Sequence, residues 1–461
     1  MSAIDSEGTR LPIKIDTTSN GEFAPVPLSK RNLLGNRLAH EFASANSKRL
    51  GLSRRSFLVS ACGAASTLLA FNQANAASGG YFDIPREAAL DPQLAQAALG
   101  KREFIFDVQG HFVDPSGAWV KQASPDAFKW SPKASCGKTP HLDCLGPEEF
   151  VKDVFRDSDT DMMVLSFVPS APDSEPLTIQ AADAVRQIVD KMGKRLLVHG
   201  RVNPNQAGDV ERMDELKERW KVAAWKTYTQ FGPGGKGFFL SDDVGTKFIE
   251  KARALGVKVI CVHKGLPFGP RSYEHSQCSD VGVVAKRFPD VKFLIYHSGF
   301  VTDVKEQPYD AAAKRDGIDT LVRSLLENGV KPGSNVYAEL GSTWRFLMRE
   351  PEQAAHALGK LVKYCGEDNV LWGTDSIWYG SPQDQIQAFR TFQLGRELRE
   401  KHGYAEITPA LRAKIFGLNG AKIYGVTPTV HKASNERDPH FMTYGPKTRR
   451  QFLDFLRIGP V

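Results

Sequence analysis

FIFDVQGH, residues 104–111, is an apolar run that closes with three polar residues spaced by two: Asp107, Gln109 and His111. On an extended strand that spacing puts all three on one face. The same design recurs along the chain. VICVHKG (259–265) carries His263 at its end, FLIYHSG (293–299) carries His297, and VLWGTDS (370–376) carries Asp375. A lone histidine after a strand is more often a hydrogen-bonded structural residue than a ligand. Four such strand ends are hard to ascribe to chance, and a parallel barrel would gather them into one pocket. Three imidazoles and a carboxylate converging on one point are what a divalent metal with an activated water requires. Gln109 breaks the pattern, standing where the second histidine of a His-x-His pair would be expected.

From residue 104 onward, apolar runs alternate with helical patterns. The runs are Phe104–Val108, Met162–Val168, Arg195–Val202, Val222–Tyr228, Val257–Val262, Val291–Tyr296, Asn335–Leu340 and Val370–Gly373. Helix-length segments such as Val244–Leu255 and Pro351–Cys365 separate them, several followed by a glycine that reads as a C-cap. Eight strand–helix units predict an α/β fold, a TIM-type (β/α)8 barrel. An open doubly wound sheet is the alternative, disfavoured because no GxGxxG follows a strand. A long loop after the first strand, residues 112–146, contains Trp119, Phe128, Trp130, Cys136 and Cys144 and is expected to act as a lid or pocket wall. The glycine-rich 231–237 lacks the Lys-Ser/Thr ending of a P-loop. Thr408–Gly425 reads as an amphipathic closing helix, and 426–461 as a C-terminal extension.

The N-terminus reads differently. Ser53-Arg54-Arg55-Ser56-Phe57-Leu58, a mild apolar stretch to Phe71 and Ala74-Asn75-Ala76 have the order of a twin-arginine export signal with an A-x-A cleavage site. Residues 1–76 are therefore expected to be removed, with 77–103 leading into a barrel domain over 104–425. A periplasmic or exported protein carried by the twin-arginine machinery follows, and Cys136 and Cys144 would be free to pair there. The apolar stretch is too short for a membrane span. The 461 residues carry a formal charge of +7, of which the first 76 supply +4 (nine Lys/Arg against five Asp/Glu). The remaining +3 gives no support for a nucleic-acid partner. A small-molecule substrate and a homo-oligomer are expected.

Taken together, FDVQGHF, AAWKTY (223–228), VICVHKG, FLIYHSG, YAELGS (337–342), VLWGTDSIW and LRAKIFGLNGAKIYG (411–425) resemble the amidohydrolase-related (amidohydrolase-2) group of the metal-dependent amidohydrolase superfamily. The resemblance implies a barrel with one divalent ion, Zn2+ first and Mn2+ second. It makes His111, His263 and Asp375 ligands and puts His297 beside the metal, where it and Asp375 carry the chemistry. Gln109 departs from that pattern and would bind the ion through its carbonyl oxygen, hold a bound water, or leave the centre impaired. Lys226, which ends the fourth strand, would contact a substrate anion or, as a carbamate, a second metal; at such a site it needs a charge partner, Glu339 or Asp375. Glu339 would orient a histidine N–H from behind. Lys264, Trp344 and Arg345 are candidates to bind a substrate carboxylate. The group holds hydrolases and non-oxidative decarboxylases, and hydrolysis of a small cyclic or aromatic ester, lactone or amide is the leading expectation. A metal-poor binding protein on the same fold is the third.

Overall fold

The computed structural model describes residues 5–76, 79–100, 102–122, 130, 132, 136, 141–171, 174–267 and 272–431. Phe128 and the tail beyond His431 lie outside them.

The eight expected strands all form. They are β2 (Phe106–Gly110), β3 (Met162–Leu165), β4 (Leu196–Arg201), β5 (Ala224–Tyr228), β6 (Val259–His263), β7 (Lys292–Tyr296), β8 (Val336–Glu339) and β9 (Val370–Leu371). They pair in sequence order, each parallel to the next. Backbone bonds from Val108 N to Trp372 O (3.0 Å) and Asp375 N to Gln109 O (3.0 Å) join the last strand to the first and close the barrel. The strands are buried on both faces, so they read as continuous apolar runs. Alternation divides them: Val259 and Cys261 pack with Leu294, Tyr296 and Ile423 of the closing helix, whereas Ile260, Val262, Phe293 and Ile295 pack with the surrounding helices. That closing segment is helical from Pro409 to Tyr424 through one π turn, and Gly425 caps it at φ 65°. A short antiparallel pair, β1 (Gly80–Phe82) with β10 (Phe392–Leu394), stands apart from the barrel. Cys136 and Cys144, which the sequence leaves free to pair, form a disulfide, their Cα atoms 5.2 Å apart.

The segment expected to leave by cleavage after Ala76 is instead packed into the molecule. It forms α1 (Lys30–Arg49), α2 (Arg54–Leu58) and α3 (Ala61–Ala74). Phe57, Ala64, Ala65, Leu68 and Phe71, which read as the apolar part of a leader, are buried in the main core. The Asn72 side chain binds both backbone groups of Phe82, as acceptor from N (2.8 Å) and donor to O (2.6 Å). A mild Ala-rich run suits a helix buried against protein as well as it suits a signal. Among the described residues no helix is long and apolar enough to cross a membrane.

Ahead of α1, residues 13–28 run as an extended strap across the barrel mouth. Asp16 pairs with Arg345 at 2.7 Å, both buried. Arg349 donates to Asp16 O (2.9 Å) and Val26 O (3.3 Å). Lys14 Nζ donates to Tyr379 O (2.7 Å), and Phe23 packs edge-on against Phe346.

Candidate functional site

The strand ends do converge. Asp375 follows β9 in the left-handed region at φ 59°, as do His297 at 66° and Ser342 at 54°. Non-glycine residues avoid that region, and such strain concentrates at functional sites. The Asp375 carboxylate accepts on Oδ1 from Gln109 Nε2 (3.0 Å) and stands 3.2 Å from His111 Nε2. On Oδ2 it accepts from Ser342 Oγ (2.5 Å) and Asn20 Nδ2 (3.1 Å). Burial alone would raise this carboxyl; the His111 and Ser342 contacts and nearby histidine charge override it and hold Asp375 well below the usual carboxylate range. It is therefore ionised, the form that can accept a proton.

His263 and His297 face each other with ring centroids 4.4 Å apart, and Tyr228 stacks on His263 at 4.8 Å. Burial pushes His297 down to about 4 and His263 well below the usual imidazole value, so both rings are neutral and keep a lone pair. His297 Nδ1 lies 2.6 Å from Gly341 O and must donate to it, which leaves Nε2 as the free acceptor. Gln109 Nε2 sits 3.4 Å from both His297 Nε2 and His111 Nε2, linking the two halves of the cluster. Its Oε1 is buried with no hydrogen-bond partner among the described residues.

Glu22, from the strap, completes the second half. One donor atom from each of Glu22, His263 and His297 lies within 4.8 Å of the others. His111 and Asp375 stand outside that group as a pair of their own. The expected ligand set of His111, His263 and Asp375 is thus divided, with His263 grouped with His297 rather than with the other two. Two neutral imidazoles with a carboxylate form a donor set that suits a catalytic divalent ion and leaves a position open, so the residues present fit a metal.

Several other expectations change. Among the described residues Lys226 makes no ion pair or hydrogen bond, and the expected partners Glu339 and Asp375 act on it only through space: its Nζ lies 3.7 Å from the Tyr296 ring centroid and 4.7 Å from that of Tyr228. The aromatic faces replace the expected carboxylate, and burial lowers the amine to about 8. Glu339 does act from behind, but on backbone: it accepts from His297 N (3.0 Å) and Gly341 N (2.5 Å), and burial pushes its carboxyl up to about 8. The proposed carboxylate binders are committed elsewhere. Lys264 pairs with Asp280 (2.8 Å), Arg345 with Asp16, and Trp344 Nε1 donates to Gln385 O (2.9 Å). None of them lines the pocket. His199 is held inside the barrel between Ser166 (3.2 Å) and Tyr424 (3.1 Å).

The pocket itself is a cavity of about 220 Å³. Asn20, Glu22, Gln109, His111 and Asp375 supply its polar side, and Val113, Trp119, Leu142, Leu145, Tyr228 and Trp378 its apolar walls. The described parts of the long loop after β2, through Trp119, Leu142 and Leu145, therefore form a wall, one of the two roles expected of a loop at that end of a barrel strand. Asn20 and Glu22 were not legible in the sequence, where they sit in a polar stretch without periodicity. Trp378, stacked on His111 at 5.4 Å, was visible in the GTDSIW motif.

The amidohydrolase family matches residues 155–426 of this chain. No curated protein matches it. Among solved structures, 5-carboxyvanillate decarboxylase from Sphingomonas paucimobilis is similar at 13% identity and TM-score 0.44, over 71% of this chain and 100% of its own. The manganese-bound 5-carboxyvanillate decarboxylase from Novosphingobium aromaticivorans is similar at 12% and 0.47, over 70% and 96%. A zinc-bound amidohydrolase from Burkholderia multivorans gives 16% and 0.41, over 70% and 100%.

Proposed function

This chain belongs to the amidohydrolase family, and on that premise we propose that it is a metal-dependent hydrolase of a small, uncharged cyclic or aromatic ester, lactone or amide. The observation that carries the reading is Asp375: an ionised carboxylate on the polar side of an apolar-walled pocket, fixed by Asn20, Ser342 and Gln109 and paired with His111, with the neutral imidazoles of His263 and His297 behind the Gln109 side chain. A divalent ion held by His263, His297 and a carboxylate would acidify water and polarise the substrate carbonyl. Asp375 takes the proton from the attacking water and returns it to the leaving group. His111, 3.2 Å away, steadies that proton. Gln109 Nε2, directed into the cluster, donates to the oxygen on which negative charge develops. The aromatic walls Trp119, Tyr228 and Trp378 select a flat, apolar acyl group and keep bulk water out.

Decarboxylation is the second reading, and it asks for a cation to bind the substrate's carboxylate. Of the cations expected for that work, Arg345 and Lys264 are neutralised by Asp16 and Asp280, and Lys226 lies over the Tyr228 and Tyr296 rings, outside the residues that line the pocket. A panel of neutral aryl esters and lactones against hydroxybenzoates, with CO2 detection, tests the choice. Turnover of esters or lactones without CO2 supports hydrolysis; CO2 release from the acids with inert esters overturns it.

A further inference from the structure

The N-terminal strap holds a carboxylate where the barrel lacks one. At position 109 the first barrel strand offers a carboxamide, whose nitrogen is already donated to Asp375. Two imidazoles and a neutral amide would leave a dication without an adjacent negative charge on their side of the cluster. Glu22 Oε1 lies 3.8 Å from His263 Nδ1, and the carboxylate, His263 and His297 form the one tight group of metal-ligating side chains among the described residues.

The turn that presents Glu22 is built for the purpose. Gly21 adopts φ 95°, a conformation that side chains rarely accept, and its N–H donates to Ser19 Oγ (2.9 Å). Ser19 Oγ in turn donates to Phe23 O (2.6 Å). Asn20 bridges the two carboxylates of the site, giving its amide N–H groups to Glu22 Oε2 (2.6 Å) and Asp375 Oδ2 (3.1 Å). Its Oδ1 accepts from Glu22 N at 3.0 Å. The buried Asp16–Arg345 pair and the Phe23–Phe346 contact fix the strap on either side of this turn. The strap lines the cavity and leaves it open, which is how a wall behaves and a plug does not.

We propose that Glu22 is the third protein ligand of the metal centre, supplied to the barrel by the N-terminal strap in place of the missing first-strand histidine. The inference rests on the metal-dependent reading above. His263 would then bind through Nδ1, with its Nε2 directed at Leu266 O (3.4 Å), and His297 through Nε2, with its Nδ1 donating to Gly341 O: each ring is oriented by a backbone carbonyl on its other nitrogen.

The test uses the full chain, wild type and Glu22→Gln, stripped of metal and titrated with Co2+ and Zn2+. The readouts are ion stoichiometry, affinity and the visible absorption of the cobalt form. Wild type is expected to take one ion per chain. Glu22→Gln, which keeps size and shape, is expected to weaken binding by at least about 10–100-fold, since even loss of a residue that merely supports a ligand has that effect. Its cobalt spectrum should change, while the thermal midpoint of the metal-free form stays at the wild-type value. A variant that binds one ion with unaltered affinity and spectrum overturns the proposal and leaves the hydrolase reading standing. A wild-type chain that takes up no ion overturns both.

Discussion

Lys226 is fully buried with its ammonium over two aromatic rings and no anion in contact among the described residues. Its amine is lowered to about 8 in the folded chain, against 10.5 when exposed. Between those values the unfolded chain holds a proton that the folded chain has lost, so this residue makes stability rise with pH from 8 to 10.5. Below pH 8 both states are protonated and the folded state carries the whole desolvation cost, about 3 kcal/mol for a shift of that size. Replacing Lys226 by Met should therefore stabilise the protein at pH 7 by about 2–3 kcal/mol once the lost ring contacts are discounted. The difference between variant and wild type should shrink toward pH 10.5. Urea unfolding of both at pH 7 and pH 10 reads this directly, and a pH-independent difference would refute it. A cation kept at such cost beneath the site is retained for something other than stability.

Among the elements, the strap depends on few contacts, and the Asp16–Arg345 pair is the most buried of them. Breaking one side of a buried pair leaves an uncompensated charge and costs about 3–5 kcal/mol. Arg345→Met should lower stability by that order and open residues 13–28 to limited proteolysis while the barrel stays resistant; uniform digestion of strap and barrel would count against a separately anchored strap. The barrel strands were legible in the sequence because each is a continuous apolar run closed by a polar residue, and that pattern survives without knowledge of neighbours. The strap was not. Its hold on the barrel comes from single contacts such as Asp16–Arg345 and Asn20–Asp375, between residues far apart in sequence, and nothing local in PIKIDTTSNGEF (12–23) marks them. The same limit explains Lys264 and Arg345. A cation after a strand announces that it needs an anion, and only the folded chain says whether that anion is a substrate or Asp280 and Asp16.

At the scale of the whole molecule, residues 5–76 behave as part of the core rather than as an appendage. Phe57, Leu68 and Phe71 are buried with Phe82 and Ala95 in the cluster that continues into the barrel helices. A chain beginning at residue 77 should expose that apolar surface, bind a hydrophobic dye and lose the cooperative unfolding of the full chain. A shortened chain that unfolds cooperatively with an unchanged midpoint would show that the helices are dispensable. The fold class, the closing helix and the wall after the first strand were all readable, since each follows from local periodicity. The role of the N-terminus is not readable in that way, because an arginine pair before an Ala-rich run describes two physical objects equally well. The reach of Asn20 to Asp375 also has a consequence for biosynthesis. The two residues are separated by 355 positions. At ~5–20 residues per second a ribosome needs roughly 20–70 s to make the second after the first. The strap therefore waits through the synthesis of the whole barrel before its docking place exists, so the pocket that Asn20 and Asp375 share is among the last things this chain can assemble.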